Sequence, residues 1–153
     1  MDKFLERPEI NFYFIKSQFN FLVSKLCSDL LKKKKKILIN LKNKEEMSDL
    51  DRFLWTTPKD SFLPHRILDK KINNLDHILL FDGNYLDYKY PDFFKILLVS
   101  PSVSIKKFKF FEKFLVFSHQ TDLQYTLNKK KLENIGFNVK SFHEHEKMKW
   151  KVL

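Results

Sequence analysis

Imidazoles and carboxylates stand side by side at His143-Glu144-His145-Glu146, the raw material of metal binding and proton transfer. The spacing argues against a metal, because histidines two positions apart point to different sides of a helix and no third ligand follows. A solvated polar tail accounts for the run with less. His65 and His77 stand beside no recognisable pairing of nucleophile and orienting acid, so neither reads as a catalytic base. Cys27, the only cysteine, falls on an apolar helical stripe and reads as a buried core thiol; a lone cysteine also excludes an internal disulfide and a cysteine metal cluster. With glycine only at Gly83 and Gly136, no glycine-rich phosphate loop or dinucleotide fingerprint can form. The sequence therefore predicts no catalytic residue, no metal and no cofactor, and its informative residues are those equipped to bind.

Foremost among these is the stretch Leu50 to His65, Leu-Asp-Arg-Phe-Leu-Trp-Thr-Thr-Pro-Lys-Asp-Ser-Phe-Leu-Pro-His. A helical stripe ends at Trp55, and Pro58 and Pro64 bracket an irregular segment that carries Phe62. Proline fixes φ and pushes the preceding residue toward extended geometry, so the helix cannot continue and two large rings are carried on a stiffened backbone. Aromatic groups in such a place serve either as core or as the anchors of a binding hot spot, and the residues alone favour neither. Lysine runs form a second class of candidates. Lys32 to Lys36 follow a helix, where cations complement the negative end of its dipole, although phosphate binding is also open to them. Lys129, Lys130 and Lys131 lie among Tyr125, Leu127, Leu132 and Phe137, and a cationic rim around apolar groups suits an acidic peptide with a hydrophobic end.

The whole composition agrees with binding. A net charge of +10 points to nucleic acid, an anionic surface or an acidic protein partner without choosing among them. Hydrophobic residues make up 43% of the 153 positions, 17 of them Phe, which suits one packed domain and excludes a disordered chain. No apolar run approaches the ~20 residues that span a bilayer, and the charged positions Asp2, Lys3, Glu6 and Arg7 replace a signal-peptide core, so a cytoplasmic location away from membranes is expected.

These residues need elements to position them. Strands are predicted at Ile10–Ile15, Ile37–Leu41, His77–Phe81, Lys95–Val99 and Lys113–Phe117 from short apolar or β-branched runs. Helical periodicity covers Phe19 to Leu31, then Asn43 to Trp55 with an Asn43/Glu46 capping box, then Thr121 to Ile135 with Thr121/Gln124 as the box and Gly136 as the C-terminal cap. A short helix is predicted at Phe108–Phe111, and Asp82 to Phe94 reads as a loop carrying Tyr85, Tyr88 and Tyr90. The alternation predicts a single three-layer α/β domain over residues 1–153, with a mostly parallel sheet of about five strands and helices on both faces. Residues 1–9 are expected to form a leader and 142–153 a partly mobile tail.

The proline-bracketed stretch also resembles the chi subunit of the bacterial DNA polymerase III clamp-loader assembly. That family's pattern is a Leu-Asp pair, a Leu-Trp pair, a Pro three residues after the Trp, then Ser-Phe, an aliphatic residue, Pro and His. Leu50, Asp51, Leu54, Trp55, Pro58, Ser61, Phe62, Leu63, Pro64 and His65 meet it without a gap. Gly136-Phe137-Asn138 is similar to the family's closing turn, and Trp150-Lys151 to its terminal Trp-Lys. The resemblance implies a non-catalytic DNA-replication adaptor that forms a heterodimer with a psi-like clamp-loader subunit through Trp55 and Phe62, flanked by Pro58 and Pro64. It also implies capture of the acidic, Phe-ended C-terminal tail of single-stranded-DNA-binding protein around the last helix, where Lys129, Lys130 and Tyr125 are the candidates. DNA contact would then be indirect. The family usually has Arg and Tyr in that helix, and this chain has Thr126, Asn128 and lysines instead. The competing reading is a direct single-stranded nucleic-acid binder, with lysines along the backbone and Tyr85, Tyr88 and Tyr90 as stacking platforms.

Overall fold

The computed structural model describes residues 7–56, 63–69, 71–105, 107–119, 125–146 and 149–152, with the side chains of 125–128 and 152 outside that description. In chain order the elements are β1 (Glu9–Ile15), α1 (Phe19–Lys32), β2 (Ile37–Leu41), α2 (Lys44–Thr56), β3 (His65–Ile67), β4 (Ile78–Asp82), β5 (Ile96–Val99), β6 (Lys113–His119), α3 (Tyr125–Asn134), β7 (Asn138–Glu146) and β8 (Lys149–Val152). The strands form one sheet in the order β3-β4-β2-β5-β6-β1-β7-β8. All neighbours run parallel except β8, which pairs antiparallel with β7.

Sequence pattern explains the layering. Every residue of β2 is buried, as required of a central parallel strand covered on both faces. Its odd positions Ile37, Ile39 and Leu41 pack with Leu22, Val23 and Cys27 of α1 and with Met47, Leu50 and Leu54 of α2. Leu38 faces the other way with Leu79, Phe81 and Leu97, beneath Phe94, Phe111 and Leu132 of α3. Two helices thus cover one face, and α3 with aromatic loops covers the other. Each fully buried aliphatic or Phe side chain contributes about 1.5–3 kcal/mol. Burial also pushes the Cys27 thiol up to about 12, in keeping with an inert core residue.

Local chemistry ends the helices. Asn43 Oδ1 accepts from the Glu46 amide at 2.9 Å, while Glu46 reaches back to the Lys42 amide at 3.4 Å, one residue beyond the usual box. α3 closes with Phe137 N–H donating to Leu132 O and Gly136 N–H to Glu133 O, with Gly136 at φ 108°. α1 closes the same way, through Lys35 N–H to Leu30 O and Lys34 N–H to Leu31 O. There Lys34 takes the left-handed position at φ 59°, where an L side chain is strained.

Several expectations need correction. The sheet has eight strands among the described residues, not about five. β3 is a three-residue strand at the edge, and β7 and β8 occupy the stretch read as a tail. No helix forms at Phe108–Phe111, where Phe110 has φ 76° and the chain is irregular. The segment Asp82 to Phe94 contains a 3-10 turn at Tyr85–Asp87, whose Leu86 amide donates to Asn84 Oδ1 at 3.0 Å. The box Thr121/Gln124 lies outside the described residues.

Glu144 explains how a polar stretch becomes a strand. Its side chain is wholly buried and accepts from the amides of Lys16 and Ser17, each at 2.7 Å, and from the Ser17 hydroxyl. The carboxylate therefore caps the approach to α1 and ties β7 to β1. His143 stacks on Phe14 with centroids 4.5 Å apart, and burial holds its imidazole below the ordinary range. No cluster of three or more metal-ligating groups occurs among the described residues.

Candidate functional site

α2 leads into the site. Leu50 and Leu54, one turn apart, anchor it in the core, which carries Asp51 and Trp55 together onto its flank facing β3. Leu63 is buried beneath, and His65 follows as the first residue of β3. The His65 ring is buried between two acceptor sets: Nδ1 lies 2.7 Å from the Leu63 carbonyl, and Nε2 lies 3.2 Å from both the carbonyl and a carboxylate oxygen of Asp51. Asp51 and His65 therefore bolt the last turn of α2 to the edge strand.

Trp55 sits on that bolt. Its ring centroid is 4.7 Å from that of His65, tilted by 50°, yet 56% of the residue remains exposed. Ile67, two residues after His65 in β3, and Leu75, which lines a cleft with His65, are also exposed, at 39% and 80%. Pro64, half-buried, lines a shallow cleft of about 180 Å³ with His65, Arg66, Leu75, Asp76 and His77. Its far wall is rigid. Arg66 grips Asp76 through two hydrogen bonds of 2.7 Å and reaches Asp69 at 3.2 Å. The Arg66 guanidinium holds the Asp76 carboxyl below the usual carboxylate range. Lys36 Nζ donates to the Asn74 and Asp76 carbonyls and lies 4.9 Å from the Phe93 ring centroid, so the end of the Lys32–Lys36 run has a structural role. Phe62 and Pro58 lie outside the described residues.

The acidic-tail candidates sit elsewhere. Lys129 is half-buried and Lys130 exposed on α3, and neither forms an ion pair among the described residues. The side chain of Tyr125 is outside the description. α3 packs over β7, six strand steps from β3, so the two candidate sites are separated by roughly 30 Å along the sheet.

The tyrosines do not form three equivalent platforms. Tyr85 is buried; its hydroxyl donates to the Lys107 carbonyl and accepts from the Lys109 amide. Tyr90 donates to the Tyr85 carbonyl at 2.8 Å, and burial raises both phenols above the ordinary range. Tyr88 alone of the three exposes much of its ring, at 38%.

The family described as DNA polymerase III chi subunit, HolC, matches residues 8–133, which includes the whole of the Trp55 edge. The chain belongs to the DNA polymerase III chi subunit family. As a chi-family protein it has an accessory role in DNA polymerase III and takes part in DNA replication. No curated protein matches the sequence. The matched span stops before Gly136-Phe137-Asn138 and Trp150, so those likenesses rest on the residues alone. Among the described residues no helix is long and apolar enough to cross a membrane.

Sequence reasoning missed two features of this chi edge. Ile67, at the end of β3, and Leu75, in the turn before β4, are exposed apolar residues that carry no motif. The Asp51–His65 tie was legible only as two members of a pattern, because fourteen residues separate them.

Proposed function

We propose that this chi-family chain is an adaptor, joining a psi-like clamp-loader subunit at the Trp55 edge and the acidic tail of single-stranded-DNA-binding protein on α3. One observation carries the reading. Trp55 keeps 56% of its surface exposed although Leu50, Leu54, Leu63 and His65 around it are buried, so the fold spends a rigid framework on presenting a ring. Large aromatic side chains held this way dominate interface energies, and Ile67 and Leu75 would enlarge the contact. β3 is the edge strand of the sheet among the described residues, an edge that a partner strand or loop can meet. Phe62 and Pro58 belong to the same surface in this proposal, with Pro64 as its stiff floor.

The second half rests on charge. Lys129 and Lys130 stand on a helix without acidic partners among the described residues, in a chain with net charge +10. Such cations suit the carboxylates of an acidic, Phe-terminated peptide. Lysine lacks the bidentate fork of arginine, so this contact should be strongly weakened by salt. A pull-down with a psi-like subunit tests the first half: Trp55→Ala and Phe62→Ala proteins with unchanged circular dichroism should lose the partner, and retention by both rejects the assignment. Calorimetry with the acidic peptide tests the second, with heat expected at low ionic strength and its absence there rejecting it.

A further inference from the structure

A cleft of about 450 Å³ opens at the carboxyl ends of the parallel strands, and its lining includes neither Trp55 nor the α3 lysines. It lies where the chain leaves β2 toward β3 and leaves β5 toward β6, in opposite directions along the sheet, which is where open α/β sheets leave a crevice between loops. Its volume falls within the range of small-molecule sites. The walls are apolar on two sides, with Tyr85 and Leu86 from the turn after β4, and Val103 and Ile105 from the loop after β5. Asn40, the fourth residue of β2, lines the base.

Asn40 is the decisive residue. It is 1% exposed, and its Oδ1 has no hydrogen-bond partner. Ser100, whose amide donates to the Asn40 carbonyl at 3.1 Å, has an unpartnered buried hydroxyl as well. Buried acceptors are rarely left unsatisfied, and a donor entering the cleft would meet this one. The mouth has the complementary charge: Lys107 and Ser104 are exposed there, and no carboxylate lines the cleft among the described residues. Lys107 is also well placed by the fold, because its carbonyl receives the Tyr85 hydroxyl and so ties the cationic loop to the apolar wall.

A flat ring with an N–H donor at one end and an anion at the other fits this arrangement. We propose that the cleft binds a nucleoside monophosphate, with the base between Leu86 and Val103, a base amino group donating to Asn40 Oδ1, and the phosphate at Lys107. The nucleotide is either free or the 5′-phosphorylated end of a single strand, since both present the same groups.

Titration of the full chain with dAMP or dCMP, followed by ligand-observed NMR and calorimetry, tests the assignment. Saturable binding is expected, about tenfold weaker for the nucleoside without phosphate and about tenfold weaker in Asn40→Leu, the usual scale of one lost polar contact. Ser104→Trp, which alters only an exposed side chain at the mouth, should block binding and decides the matter if Asn40→Leu fails to fold. Displacement of the mononucleotide by a short 5′-phosphorylated oligonucleotide, but not by the same strand lacking that phosphate, would make a strand end the source; failure of both strands to displace it would make free nucleotide the source. No saturable binding, or equal affinity in wild type and Ser104→Trp, overturns the proposal.

Discussion

The β3 edge and the α3 face hold their candidate groups in different ways. At β3, one exposed indole rests on a buried imidazole that is fixed by Asp51 and the Leu63 carbonyl, with three core leucines beneath. On α3, two lysines rise from a helix whose buried contribution to the second core layer, among the described residues, is Leu132. In the proposed reading the edge would make a shaped, apolar contact in which ring placement matters. The α3 face would act through lysine charge, which attracts over distance but fixes little. A proposed adaptor would gain from the contrast: a durable joint to one partner and a salt-sensitive, exchangeable hold on another, set roughly 30 Å apart.

The largest effect should come from the indole. Trp55→Ala is expected to weaken psi-like partner binding by about 2 kcal/mol or more while leaving the melting temperature nearly unchanged, because the side chain lies mostly outside the core. Calorimetry beside a thermal melt checks both parts. His65→Ala should act through the framework instead: it removes a buried ring and leaves the groups around it unpaired, costing about 1–3 kcal/mol in urea unfolding and weakening the partner as well. If His65→Ala left stability intact, the two regions would not differ as described.

Charge reversal on α3 sharpens the other side. Lys129→Glu with Lys130→Glu should reduce acidic-peptide affinity about tenfold at low salt, with the difference shrinking as salt screens it, and should leave psi-like binding unaffected. A pH series addresses the wall of the edge cleft. The Asp76 carboxyl is held low by Arg66, so its contribution to stability is fully present above the unfolded value of about 3.9 and is lost as pH falls through the depressed folded value. Arg66→Ala should flatten that acid limb in pH-dependent denaturation. The smallest effect concerns stability alone: Lys34→Gly relieves a left-handed lysine at the end of α1 and should stabilise the protein by about 0.5–1 kcal/mol.

How much of this was legible depended on whether local pattern and burial coincide. β2, β4 and β5 are short apolar runs, interrupted only by Asn40 in β2 and by Asp82 at the end of β4, and α1 and α2 carry clear stripes, so spacing alone finds them. β7 mixes buried and exposed positions with Lys140, Glu144 and two histidines in it, and it becomes a strand because β1 pairs with it and Ser17 donates to the Glu144 carboxylate. β3 is shorter than any periodicity can register. In the candidate docking edge, the residue types of Trp55 and Pro64 were readable, but the division between anchors and presented ring was not, since Leu50, Asp51 and His65 meet only after the chain has turned. The Asn40 cleft was invisible for the same reason: its floor and its two walls come from three separate strand ends.

The chain has two tryptophans, and Trp150 lies against Tyr13 on the opposite side of the sheet order from Trp55. In a Trp150→Phe protein the emission therefore reports on Trp55 alone. Adding a psi-like subunit from which tryptophan has been removed should shift that emission to shorter wavelength and protect it from acrylamide quenching, as an exposed indole becomes buried in the joint. A complex that forms with emission and quenching unchanged would contradict the claim that this edge is the docking surface.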